Sequence, residues 1–298
     1  MALAKIATHK QAIIDVDGHK MVALAFNSHL DTVPLVFIHG FGASVNFWNG
    51  WQTEYIQQHC KWYSLSLPGH YPATFPPGFD DDEINADRLA EITIRAVKKL
   101  VGEQRVILIG HSTGGFTALN VAIRAPQMVQ AVASVAGFVQ GKWTGSLGMA
   151  QQWARWGAVG STLWQANEWL ACTSRAYFDF GYRSFMADDA AVYAMPGIED
   201  IMAASYIDFK ARNTSALFTW LQGVQDIDIR AGLSTISVPA LVMAGEDDPL
   251  VPSQQARIIR EGTSNSEYVG YPGAGHMMMW ERHEQYHRDL TAWLQKVM

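Results

Sequence analysis

Apolar and polar positions follow two periods along this chain. Residues 12–17, AIIDVD, and 21–26 flank Gly18-His19-Lys20, the pattern of an antiparallel hairpin. The later runs 34–38, 106–109, 131–135 and 238–244 are nearly all apolar, and 62–67 and 267–270 fit two more strands. Short apolar runs without alternation suit strands covered on both faces of a parallel sheet. Between them the spacing is helical. Residues 48–58 read as an amphipathic helix, and Ile84, Leu89, Ile92, Ile94 and Val97 as a longer one ending near Leu100. A third helix spans 116–124, with Pro126 just past its end. A last one runs to about Val297, with Leu290, Trp293 and Leu294 toward the sheet. Alternating strands and helices predict an α/β fold with a mostly parallel sheet flanked by helices.

This rhythm stops between about Gly141 and Gly232. Six of the 11 tryptophans lie there: Trp143, Trp153, Trp156, Trp164, Trp169 and Trp220. Tyr177, Phe178, Phe180, Tyr182 and Phe185 add an aromatic cluster. Helical spacing predominates, broken by Gly157, Gly160, Gly181, Pro196 and Gly197. The expected division is 1–140 and 233–298 as one core, with 141–232 as a helical insertion.

Composition narrows the function. The chain has 298 residues, 49% of them apolar, which suffices for one large core with an insertion. The net charge is -6 and no basic patch is visible, which argues against nucleic acid as a partner. Cys60 and Cys172 form no metal-ligand pattern and read as two thiols. The N-terminal MALAKIATHK has no long apolar core, and no 18-residue apolar run follows, so no integral membrane segment and a cytoplasmic location are expected. Oligomeric state is not legible. The acidic run 80–83 reads as helix-start charge, and His283 and His287, four apart with no third ligand, as an ordinary helix face, so no metal is expected.

The chemistry centres on 105–115, RVILIGHSTGG. A buried strand ends at Gly110, a turn follows at Ser112, and a helix begins. A nucleophile on such a turn needs small neighbours two residues either side, and Gly110 and Gly114 supply them. The free N–H groups of the following helix favour developing negative charge there.

This strand, G-x-S-x-G turn and helix resembles the nucleophile elbow of the α/β-hydrolase family. HGFG at 39–42, GEDDPLVP at 245–252 and GAGH at 273–276 strengthen the resemblance, which covers nearly the whole chain. It implies Ser112 as nucleophile, Asp248 as acid and His276 as base, in that chain order. The backbone N–H groups of Phe41 and Thr113 are the implied oxyanion donors. Gly40, Gly42, Gly110 and Gly114 are structural, and His39 holds its loop by hydrogen bonding. Asp247, the local rival to Asp248, suits a turn or cap better. The resemblance makes 141–232 a cap over Ser112. A substrate pocket of Phe41, His111, Trp143, Trp164 and Met277 is expected. At 71–79, YPATFPPGF replaces the family's usual small turn and is expected either to shape the pocket entrance or to pass beside it as a stiff loop.

The implied activity is cofactor-free hydrolysis of a small-molecule carboxylic ester or lactone with an apolar portion, through an acyl-enzyme. Carbon–carbon hydrolysis of a β-diketone and cofactor-free perhydrolysis are alternatives on the same triad. A non-catalytic small-molecule receptor is a third. A serine nucleophile argues against the haloalkane dehalogenase and epoxide hydrolase branches, which use aspartate.

Overall fold

The structure is a computed structural model and describes residues 9–298. All but the last two residues of the N-terminal stretch read above lie outside the described residues. The chain opens with the expected hairpin, β1 (Lys10–Val16) and β2 (His19–Phe26), paired antiparallel from Lys10 opposite Ala25 to Val16 opposite His19. Then follow β3 (Leu35–Ile38), α1 (Glu54–His59), β4 (Trp62–Leu65), α2 (Ala86–Val101), β5 (Val106–His111), α3 (Thr113–Arg124) and β6 (Val129–Val135). After an insertion come β7 (Ala240–Gly245), α10 (Gln254–Gly262), β8 (Ser266–Tyr271), α11 (Met278–Glu281) and α12 (His283–Val297).

The eight strands form one sheet in the order β1-β2-β4-β3-β5-β6-β7-β8, parallel from β4 to β8. β5 is wholly buried and lies between β3 and β6, so the segment that leaves its C-terminal end emerges from the middle of the sheet. Loops after β3, β5, β7 and β8 leave the same edge. In parallel α/β sheets that carboxyl edge is where ligands bind.

The sequence misjudged two starts. Residues 48–58 are not one helix: tight turns run to Trp51, and α1 begins at Glu54 with Thr53 as its cap. Trp48 and Trp51 supply the apolar spacing, but as buried anchors of those turns. The acidic run makes a separate helical turn, Asp81–Glu83, and α2 is capped instead by Asn85, whose side chain accepts from the Arg88 N–H at 2.9 Å.

Between β6 and β7 lie six helices: α4 (Gly145–Ala154), α5 (Gly157–Thr173), α6 (Arg175–Arg183), α7 (Asp189–Tyr193), α8 (Ile198–Ala211) and α9 (Thr214–Gly223). Trp220 of α9 is fully buried and donates its indole N–H to the Pro68 carbonyl at 2.8 Å, tying the insertion to the loop after β4. Trp164 of α5 donates to Thr214 O at 2.8 Å and joins two insertion helices. Trp156 and Trp169 are instead 54% and 65% exposed. No helix among the described residues is long and apolar enough to cross a membrane.

Candidate active site

Ser112 sits between β5 and α3 with φ 54° and ψ -116°, a left-handed backbone that a serine adopts only when its surroundings impose it. Those surroundings are identifiable. The Ser112 N–H bonds Val135 O at 2.8 Å and its carbonyl accepts from the Phe116 N–H at 3.0 Å, fixing the turn on both sides. A Cβ on Gly114 would lie 2.2 Å from the Ile38 carbonyl oxygen, and one on Gly110 would lie 2.0 Å from Gly114 O. No side chain fits at either position, so α3 starts directly against the end of β3. Thr113 is the first residue of α3, and its N–H belongs to the unpaired donors of that helix start.

The loop after β3 lies beside this turn. A Cβ on Gly40 would approach His111 Nδ1 to 2.9 Å and Ser112 Cβ to 3.1 Å, so the HGFG backbone runs alongside the serine. Buried His39 holds that loop: its Nδ1–H donates to Gly40 O at 2.8 Å, and its Nε2 accepts the Leu67 N–H at 3.1 Å. Burial lowers its pKa to about 4, so it is neutral in the folded protein. Gly42 takes a left-handed φ of 71° as the loop turns away.

The loops after β7 and β8 bring the acid and the imidazole together. Nδ1 of His276 donates to Asp248 Oδ2 at 2.7 Å, with the side chains 4% and 2% exposed. Oδ1 of Asp248 accepts the N–H groups of Leu250 and Val251 at 2.8 and 2.9 Å, leaving Oδ2 for the histidine. Asp247 serves the turn: its N–H bonds Ala274 O at 3.0 Å and its carboxylate accepts from the Gly273 N–H at 3.0 Å. His276 donates its own N–H to Phe185 O at 2.9 Å, a residue of the insertion. His111 donates through Nε2 to the His276 carbonyl at 3.0 Å and stacks on Phe47, with ring centroids 5.2 Å apart. Burial and the neighbouring His276 hold the His111 pKa far below the usual range.

Ser112 and His276 line one cavity of about 380 Å³. Phe41, His111, Trp164 and Met277 line it too. Trp143 does not. Its ring stands behind Phe41 at 5.4 Å, wedged against Phe138 at 5.6 Å, and so supports the wall without forming its surface. Of the other insertion tryptophans only Trp153 reaches the cavity, alongside Met149, Tyr177, Phe178, Phe180, Tyr182 and Phe185. Met186 and Met202 are buried in the core instead. The 71–79 loop contributes nothing to this lining: Phe75 and Phe79 stack at 4.0 Å and turn toward His19. No three His, Cys, Asp or Glu side chains among the described residues form a metal-binding group; His287 Nε2 bonds Trp51 O at 2.9 Å.

Two features escaped sequence reading. Glu281 is buried, and its carboxylate accepts N–H groups from Gly275, Ala187 and Asp188 at 2.8–3.0 Å. Burial raises its pKa, with those three backbone donors opposing. Glu168 and Arg212 form a buried ion pair in the cavity wall. One signal was available: Glu168 is the lone charge in the 17 residues of α5.

The family profile of the alpha/beta hydrolase fold matches residues 33–283, spanning every strand from β3 to β8. The chain belongs to that family. Among relatives of the hydrolase, the dihydrolipoyllysine-residue acetyltransferase component of the acetoin cleaving system of Pseudomonas putida is 29% identical over 265 residues. That match takes in 88% of this chain but only 64% of the relative, so the hydrolase spans less than two thirds of it. A pimeloyl-[acyl-carrier protein] methyl ester esterase of Nitrosomonas europaea is 26% identical over 268 residues, 87% of this chain and 96% of the relative. The crystal structure of the enol-lactonase of Burkholderia xenovorans superposes with a TM-score of 0.73 at 17% identity, covering 95% of this chain and all of that one, which shows a shared fold.

Proposed function

We propose that this hydrolase cleaves a small carboxylic ester or lactone with an apolar portion, through an acyl-enzyme on Ser112. The observation that carries the reading is one geometry. A strained serine at a helix start shares a cavity with an imidazole whose far nitrogen is held by a buried carboxylate at 2.7 Å.

In this mechanism Ser112 Oγ attacks the carbonyl carbon while Nε2 of His276 takes its proton. Asp248 fixes the tautomer, with Nδ1 protonated and Nε2 free, and stabilises the imidazolium that forms. The N–H groups of Phe41 and Thr113 receive the oxyanion. His276 returns the proton to the leaving alkoxide, which departs as an alcohol, or as the freed hydroxyl end of an opened lactone. Water, deprotonated by the same imidazole, then releases the acid and restores the serine. Residues 141–232 act as the cap: their aromatic side chains supply the apolar wall and exclude water from the reacting carbonyl. The relative named as a methyl ester esterase supports this substrate class.

The test is hydrolysis of a chain-length series of aryl esters and lactones by wild type and Ser112→Ala, with fluorophosphonate labelling read by intact mass. One label on wild type, none on the variant, and loss of turnover with the serine are expected. A folded wild type that neither labels nor turns over any ester or lactone would sink the reading.

A further inference from the structure

The insertion reaches the loop after β3 through one buried cation. Arg212, just past the end of α8, donates from one guanidinium nitrogen to the Gly42 carbonyl at 3.1 Å. Another nitrogen pairs with the Glu168 carboxylate on α5. Their side chains are 10% and 4% exposed, and the guanidinium lies over the Phe209 ring, 3.5 Å from its centroid. One turn earlier on α8, Asp208 accepts from Ser44 Oγ at 2.5 Å and Asn46 Nδ2 at 2.8 Å. Loop 42–46 is therefore tied to α8 at three points.

The chemistry of the pair limits what it can do. Glu168 already neutralises Arg212, so the two present no net charge to a substrate. Removing two charges from water is costly, and the guanidinium offsets that cost through the Glu168 carboxylate, the Gly42 carbonyl and the Phe209 ring, while its buried Nε makes no hydrogen bond. A planar guanidinium can serve a carboxylate and a carbonyl at once, which a lysine ammonium on its flexible stem does less well. What remains unusual is the third partner, the Gly42 carbonyl. It lies one residue beyond Phe41, on a glycine with a left-handed φ of 71° and no side chain of its own to hold it.

We propose that Arg212 is a positioning residue for the 40–42 loop. It fixes the Gly42 carbonyl, and with it the aim of the Phe41 N–H, only while α5 and α8 are seated on the core. The oxyanion site is then assembled jointly by the core and the insertion. This inference rests on the role given above to the Phe41 N–H.

The test replaces both charges by apolar groups of similar length, Arg212→Met with Glu168→Met, so that no lone buried charge is left to unfold the protein. Folding is checked by circular dichroism and thermal unfolding. The expected result is a folded enzyme whose kcat falls by about a hundredfold, the loss that a misplacement of ~1 Å brings. KM should change little, and fluorophosphonate labelling of Ser112 should slow in parallel, because interactions made only in the transition state act on kcat. A folded double variant with wild-type kcat overturns the proposal. So does a raised KM at unchanged kcat, which would make Arg212 a substrate contact instead. Should the double variant not fold, Arg212→Lys takes its place: its ammonium keeps the charge for Glu168 without the fork, and wild-type kcat in that variant is again fatal. Wild type and Ser112→Ala run alongside. If wild type neither labels nor turns over, the reading of the whole site has failed, independently of Arg212.

Discussion

Glu281 grips the amide of Gly275 with both carboxylate oxygens, at 3.0 and 2.9 Å, one residue before His276. The same carboxylate takes the N–H groups of Ala187 and Asp188, so the histidine loop and the insertion share one buried anchor. Glu281→Ala leaves the buried Gly275 N–H without a partner, at a cost of about 1–3 kcal/mol, and frees the more accessible N–H groups of Ala187 and Asp188 to water. We expect thermal unfolding to show a loss of about 1–3 kcal/mol, with a fall in kcat. Glu281→Gln keeps one acceptor oxygen and should fall between the two. An alanine variant as stable and as active as wild type would show that the anchor does not matter.

The neighbouring acids divide their work, and mutation should separate them. Asp248→Asn removes the charge that holds the His276 tautomer, and kcat should fall about ten-thousandfold with the fold retained. Asp247→Asn keeps an amide oxygen that can accept the Gly273 N–H and removes only the charge behind that turn contact, so no more than ~1 kcal/mol of stability and little activity are at stake. Steady-state kinetics of both variants decide the matter, and equal losses would undo the assignment.

Buried histidines set the acid limit. His39, His70 and His111 are each held neutral by burial, His39 with a pKa of about 4 and the other two well below 6.5. Their folded pKa values are depressed, so the unfolded chain binds more protons below pH 6.5. Stability is therefore full above about pH 6.5 and falls as pH drops toward 4, by about 1.4 kcal/mol per unit for each histidine. Unfolding free energies measured from pH 8 to 4 should bend downward below 6.5. A flat profile would mean that these rings accept protons in the native state.

Phe180 lines the cavity yet is 68% exposed, which places it at the mouth. Phe180→Ala should change stability by no more than about 0.5 kcal/mol. KM for long-chain esters should rise by about tenfold and KM for acetates much less, the scale of a lost apolar contact. The chain-length series measures this directly, and a uniform change across the series would place Phe180 outside the acyl path.

The two thiols should react unequally. Cys60 is buried, and burial pushes its pKa up to about 11; Cys172 is half-buried with a smaller upward shift of the same cause. The thiolate is the reactive form. Iodoacetamide at neutral pH should modify Cys172 first and Cys60 only on unfolding, as peptide mass mapping will show.

What the sequence revealed follows from where each constraint acts. The strand from Val106 and the glycines flanking Ser112 were legible because local backbone sterics demand them. Gly110 and Gly114 have no room for a Cβ, and that leaves a mark in the chain. The order of the segments around Asp248 and His276 was legible through motif. The partners that converge only in space were not. Trp143 looked like a pocket residue from composition, but its neighbours Phe41 and Phe138 turn it into backing. Glu281 went unread, because nothing near it in sequence tells that Ala187 and Asp188 will bring it their amides. The helix expected over 48–58 failed for the same reason: tryptophans that anchor turns share the spacing of tryptophans on a helix face.

The hydrogen bond from the His276 N–H to Phe185 O also bears on how such a chain could be recombined. Residues 185–188 lie between two helices of the insertion, yet their backbone completes the loop that carries the imidazole. A Cβ on Gly275 would sit 2.6 Å from the Ala187 nitrogen, so the two backbones are fitted to each other at a single glycine. Exchanging the whole insertion for a foreign one, to import another pocket, would therefore also exchange the scaffolding of the imidazole. A chimera that keeps 185–188 from this chain retains that scaffolding, and the inheritable unit of the fold does not end where the sheet does.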